Sequence, residues 1–202
     1  MGAAGGLADA PRSAASVIRA MMDGHRPAVW LSDRYSAQQG HAGAQQTCLA
    51  HLARNVAYAR EASEDPVPWR LELWLRSAFD LAGAITTFAA STLAAKRRSL
   101  ERRLADILEA PTRCDLARDL QRKFRRARDR LLTFVAFRGA VEVTNNACER
   151  ALHPAVVQRK VTNGYRAMWA AEGEAAIRTV VDTARPSPGA SPFSTILKIV
   201  SA

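Results

Sequence analysis

The sequence predicts an α/β protein dominated by helix, and three observations carry that expectation. Two short stretches, 28–31 and 45–48, read as strands, and each runs into a polar or helix-starting position. From Trp69 to Phe137 the chain is rich in Leu, Ala, Arg and Glu, with no glycine after Gly83 and a single proline, Pro111. Such a composition favours helices over turns and strands. With 202 residues and a hydrophobic fraction of 48%, the chain can bury a sizeable core and carry a helical insertion.

Taken in order, residues 1–11 are rich in Gly and Ala and are expected to be loose. Ser13–Met22 sets Val17, Ile18, Met21 and Met22 at helical spacing, and Gly24 and Pro27 end that helix. Ala28-Val29-Trp30-Leu31 is read as a buried strand, although four residues do not by themselves separate strand from helix. Asp33 follows at its carboxyl end, where ligands of open α/β sheets gather. It is placed to hold a metal ion, or alternatively to cap an ordinary turn. A second strand, Gln45–Cys48, leads into a helix with Leu49, Leu52, Val56 and Ala59 on one face. Cys48-x-x-His51 is half of a zinc ligand set, and no second pair with zinc-finger spacing follows. A core cysteine and a hydrogen-bonded histidine are the other reading of that pair.

Pro66 and Pro68 mark a break, after which Trp69, Leu73, Leu75 and Phe79 open a helical hairpin pattern. Pro154 is expected to kink a helix or start a new one. Thr162–Trp169 reads as a loop, and Glu172–Arg185 as a helix with a buried face of Ala175, Ala176, Ile177, Val180 and Val181. Pro186–Pro192 is a linker before a last short helix packing Phe193, Ile196, Leu197 and Val200. The expected division is therefore residues 1–65, a helical block 66–138, a return to the first part over 139–185, and a tail 186–202.

The charge is the most unusual bulk property. There are 29 Lys and Arg against 19 Asp and Glu, a surplus of +10 that suits a polyanion, most simply nucleic acid. Between Lys96 and Arg130 lie 13 basic and 6 acidic residues, so most of the surplus is local. Lys96, Arg97, Arg98, Arg122, Lys123, Arg125 and Arg126 are the candidates for phosphate contacts. The alternative is a solvated helical face whose Asp and Glu residues, three and four positions away, offset the charge. If the stretch tracks DNA, it should be almost wholly helical, project from the α/β part and show a face dominated by arginine. Three cysteines, Cys48, Cys114 and Cys148, are an odd number without tight pairing, which fits a reducing cytoplasm. No apolar run is long enough to span a bilayer, and the first ten residues lack the basic segment of a signal peptide.

The richest stretch is Thr144-Asn145-Asn146-Ala147-Cys148-Glu149-Arg150-Ala151-Leu152-His153-Pro154. Asn146 with Glu149 three positions later has the spacing of a capping box. Glu149 is otherwise a metal-binding carboxylate at a fixed helix start, with Arg150, Arg159 and Lys160 as cations for a phosphate. Asn145-Asn146-x-x-Glu149-Arg150-x-Leu152-x-Pro154, followed by Arg159-Lys160-x-Thr162-Asn163-Gly164-Tyr165, resembles the C-terminal signature of the insertion sequence sixty-six family of bacterial transposases. So do Leu31-Ser32-Asp33-x-Tyr35-Ser36-Ala37, Cys48-Leu49-Ala50-His51-Leu52, Ala176-Ile177-Arg178-x-Val180-Val181-Asp182-Thr183-Ala184-Arg185 and Ser191-Pro192-Phe193.

The resemblance implies an RNase H-like fold, here incomplete with its early strands missing, interrupted by a large helical insertion. It implies a DDE site, in which two Asp and one Glu bind two Mg2+ or Mn2+ ions for in-line attack on a phosphodiester. Asp33 matches the second aspartate and Glu149 the glutamate. If they share ions, their carboxyl groups should lie within roughly 4–8 Å of each other. Cys48, His51, Asn145, Asn146, Arg150, Arg159 and Lys160 become neighbours of the site. The first aspartate has no counterpart, since Asp9 lies in a Gly/Ala-rich stretch with no strand around it. Arg34 stands where a glycine is usual, and His153 where an arginine is usual. The expectation is therefore a truncated transposase part that binds metal weakly and is inactive alone. Its implied partners are DNA at insertion-sequence ends and another copy of the chain or an intact transposase. A non-catalytic DNA-binding remnant and a basic helical interaction protein are the alternatives.

Overall fold

The computed structural model describes residues 14–22, 24–184, 191, 193–194 and 197–198. Asp9, the linker at 186–190 and much of the final short helix lie outside the described residues, as do the side chains of Val17 and Met21. The elements are α1 (Ala14–Met22), β1 (Val29–Ser32), β2 (Ala44–Thr47), α2 (Leu49–Ala62), α3 (Pro66–Gly83), α4 (Ala90–Leu108), α5 (Asp115–Ala127), α6 (Asn146–Thr162) and α7 (Met168–Ala184), with short 3-10 turns between them. Helix dominates, as the composition predicts. The chain falls into two compact units, Met1–Ala147 and Cys148–Ala202.

In the first unit β1 and β2 pair in parallel, from Val29 opposite Ala44 to Ser32 opposite Thr47. A two-stranded sheet is not stable alone, and this one is pinned from outside. Gln46 of β2 is fully buried. Its Nε2 donates to the carbonyls of Thr47 (2.8 Å) and Leu131 (3.0 Å), and its Oε1 accepts from the Phe134 N–H (2.9 Å). The Thr133 hydroxyl donates to the carbonyl of Gln45. These bonds tie β2 to the irregular segment after α5.

Helix α2 buries Leu49, Leu52, Val56 and Ala59, the face its spacing predicts. Helix α3 begins where Asp65 caps the Val67 N–H and Pro66 needs no donor. Its inward stripe is Val67, Leu71, Trp74, Leu75, Ala78 and Leu81. Trp69, expected in that stripe, is 52% exposed: the frame set by the cap at Asp65 turns it outward and brings Trp74 in. The Trp74 indole N–H donates to the carbonyl of Leu100 at 2.8 Å, and its ring meets Phe124 edge-on. Leu93, Leu100, Leu104, Leu120, Phe124 and Phe134 complete one core with α2 and α3. Helices α3–α5 therefore pack around the same core as α2 rather than projecting from it. Arg60 and Arg76 both pair with Glu72, tying α2 to α3. The hydrogen bond from Arg60, and then that from Arg76, hold the Glu72 carboxyl below its usual range against the opposing effect of desolvation.

The second unit is a helical hairpin. Helix α6 continues through Pro154, so no new helix starts there. The helix surface there is open, so the carbonyl that loses its N–H partner to the proline ring can turn to water. Asn163 and Gly164, both at positive φ, end α6. Helix α7 begins at Met168, so Trp169, expected in the loop, is helical. Gln158 and Arg178 bond each other, and both bond Glu174, across the hairpin. The expected buried face of α7 is not formed. Ile177 is 66% exposed and α6 buries none of its residues, because one pair of helices encloses no interior.

Candidate functional site: a basic cleft at the strand ends

Asp33 leaves β1 at its carboxyl end, as the sequence predicts. Its Oδ1 accepts the Tyr35 N–H at 2.8 Å, the local turn expected of a short acidic side chain. Its other oxygen has no partner among the described residues. Asp33 opens into a cleft of about 290 Å³ whose remaining walls are Arg34, Gln39, Gln45, Thr47, Arg126, Ala127 and Arg130. The irregular segment pinned by Gln46 follows directly on Arg130, so the same bonds that hold the sheet also fix this wall. Arg130 donates to Gln39 Oε1 at 2.7 Å. Among the described residues, none of the three arginines forms an ion pair.

A second convergence involves the candidates Cys48 and Asn145. The Cys48 N–H donates to the carbonyl of Ser32 at 2.8 Å, and its buried Sγ accepts the Asn145 N–H at 3.4 Å. The Leu49 N–H donates to the carbonyl of Val143 at 2.9 Å. The start of α6 at Asn146 is thus held against the carboxyl ends of both strands. The side-chain oxygen of Asn145 is buried there with no partner among the described residues. His51 sits half-buried in the first turn of α2, where its carbonyl accepts from Asn55.

Glu149 lies half-buried in the first turn of α6 with Arg150 exposed beside it. Arg159 and Lys160 lie in the last turn of the same helix, about 15 Å further along at 1.5 Å per residue. Asp33 and Glu149 belong to different units of the chain.

The other basic candidates separate into two groups. Arg97 pairs with Glu101, Arg122 and Lys123 with Asp119, and Arg125 with Glu109. Hydrogen bonds from Lys123 and then Arg122 hold the Asp119 carboxyl below its usual range. Lys96 lies 4.7 Å from the Phe88 ring centroid. Arg98 and Arg126 have no such partner among the described residues. The exposed face of α5 beside the cleft, with Arg118, Arg122 and Arg125, is rich in arginine, but each of these is paired locally with a carboxylate.

Sequence reasoning missed the cleft as a unit. Arg130 closes the basic run from Arg122, yet nothing in its spacing separates it from the paired arginines. Gln39, Gln45 and Thr47 carry no signal at all. No helix among the described residues is long and apolar enough to cross a membrane.

No curated protein and no solved structure matches the chain. The family model described as "Transposase IS66 family" matches residues 8–173. That span includes both strands, the cleft, the start of α6 and Glu149, and on it the chain belongs to the IS66 family of transposases.

Proposed function

We propose that this chain is a DNA-handling part of a DDE transposase, with an RNase H-like ancestry for its parallel strands and with Asp33 and Glu149 as two of the metal-binding carboxylates. The single observation that supports this reading best is the basic cleft at the end of β1, where one carboxylate and three arginines lie together without an ion pair. A carboxylate beside cations suits a site that takes a divalent ion together with a phosphate. The oxygen-rich donors at the strand ends, Asp33 and the unpartnered Asn145 carbonyl, fit a hard ion such as Mg2+ or Mn2+. Among the described residues no three His, Cys, Asp or Glu side chains gather into a ligand set. A bound ion would activate the attacking oxygen and neutralise developing charge on the phosphodiester. Asp33 and Glu149 would hold it, while the arginines of the cleft bind and orient the DNA strand.

The chain alone is expected to bind duplex DNA and not to cleave it. Nicking of a supercoiled plasmid by the 202-residue chain in Mg2+ or Mn2+ tests this. The expected result is no product above background. Clear nicking that disappears in both Asp33→Asn and Glu149→Gln would mean that a third carboxylate acts within this chain, and the inactive reading would fall.

One observation favours a second reading, a basic helical interaction protein without DNA chemistry: the ion pairs that offset Arg97, Arg122, Lys123 and Arg125. Affinity for DNA that is absent at moderate salt would favour this alternative.

A further inference from the structure

We infer that Arg34, Arg126 and Arg130 form a clamp for one backbone phosphate of DNA, and that this cleft, not the arginine-rich face of α5, anchors the strand to the protein. The inference rests on the proposal that the chain handles DNA. Three features of the cleft support it.

The first is charge. Three arginines and one carboxylate line the same concavity, a local excess of two positive charges. Elsewhere the candidate cations are largely neutralised by Asp119, Glu101 and Glu109. Ion-paired surface arginines must give up a partner to take a phosphate. Those of the cleft have no carboxylate partner to give up among the described residues.

The second is shape and lining. At about 290 Å³ the cleft lies at the lower edge of the usual range for small-ligand pockets. No aromatic ring lines it, so it offers no surface on which a base could stack. Its polar groups besides the arginines and the Asp33 carboxylate are the amides of Gln39 and Gln45 and the hydroxyl of Thr47, which suit phosphate and sugar oxygens. Planar guanidinium groups grip such oxygens through two parallel N–H donors.

The third is preorganisation. Arg130 is fixed by Gln39 Oε1 at 2.7 Å. The segment after it is held by the buried Gln46 and by Thr133. One arginine is therefore already ordered, while the side chains of Arg34 and Arg126 have no partner among the described residues and are available to a phosphate.

The test measures binding of the full 202-residue chain to a fluorescently labelled duplex across 50–200 mM salt. Arg34→Gln/Arg126→Gln is compared with Arg102→Gln/Arg113→Gln, which removes the same charge from exposed positions outside the cleft. The cleft pair should lose about tenfold in affinity and flatten the log–log salt slope by about one, the share of roughly one phosphate. The control pair should lose less than about threefold, and Arg126→Lys, which keeps the charge but not the two parallel donors, should lose less than Arg126→Gln without matching the unaltered chain. Unfolding midpoints of all variants report whether the fold is kept. Should the double variant not fold, single Arg126→Gln, with an expected loss of about threefold, is compared with single Arg102→Gln. Equal losses in the cleft and control variants, or an unchanged cleft variant, would overturn the clamp and leave the DNA-handling proposal standing. No binding by the unaltered chain would overturn both.

Discussion

Trp74→Ala should unfold the first unit more easily by about 3–5 kcal/mol, the range for deleting a buried aromatic side chain. Trp74 is fully buried where α3, α4 and α5 meet. Truncation removes its ring contact with Phe124 and its N–H donor to Leu100. It also leaves a cavity that three helices, each fixed by other contacts, cannot collapse to fill. The thermal midpoint should fall on the order of 10 °C. Trp74→Phe keeps most of the volume and loses only the hydrogen bond, so a cost of about 1–2 kcal/mol is expected. Comparable losses in the two variants would show that the indole N–H, not packing, is what matters.

Gln46→Ala should cost about 3 kcal/mol, although the side chain carries no charge. Its amide serves three backbone groups at once, and truncation strands the Phe134 N–H and the Leu131 carbonyl inside the protein. Each orphaned buried group costs about 1–3 kcal/mol. The consequence reaches function, because the segment released follows Arg130, one wall of the cleft. Chemical denaturation measures the stability loss, and DNA binding of the still-folded fraction should weaken with it. A stability change below about 0.5 kcal/mol would mean that water replaces the amide and that the segment is held by other contacts.

The parts of this fold that could be read from sequence are those with a local period. The face of α2 follows from spacing alone, whereas the strand at 28–31 is read from an apolar run too short for spacing to separate strand from helix. In α3 the sequence reading takes Trp69 into the stripe and passes over Trp74, and the structure reverses the two. The choice between them depends on where the helix starts, which the Asp65 cap and Pro66 decide. Gln46 gives no warning, since the strand Ala44-Gln45-Gln46-Thr47 is polar in composition yet its last two residues are buried. A buried amide is stable there only because distant backbone groups complete its bonds. The same holds for the site. Asp33 was legible because it follows a strand, and Glu149 because it follows a pair of asparagines at a helix start. The cleft joins Asp33 and Arg34 to Arg126 and Arg130, which α2–α5 separate in sequence, and only tertiary packing brings them together. Pro154 misled as a helix start for the opposite reason, a strong local signal overridden on an exposed helix where water can satisfy the freed carbonyl.

The central claim is that Asp33 and Glu149 serve one divalent ion. Substoichiometric Mn2+ added to the 15N-labelled chain tests it most directly, because the paramagnetic ion broadens amide signals only near its binding site. The account predicts that signals around Asp33 and around Glu149 broaden together at the same Mn2+ concentration, and that Asp33→Asn abolishes both effects. Broadening at one carboxylate that leaves the other sharp, or broadening around Glu149 that survives Asp33→Asn, would contradict it.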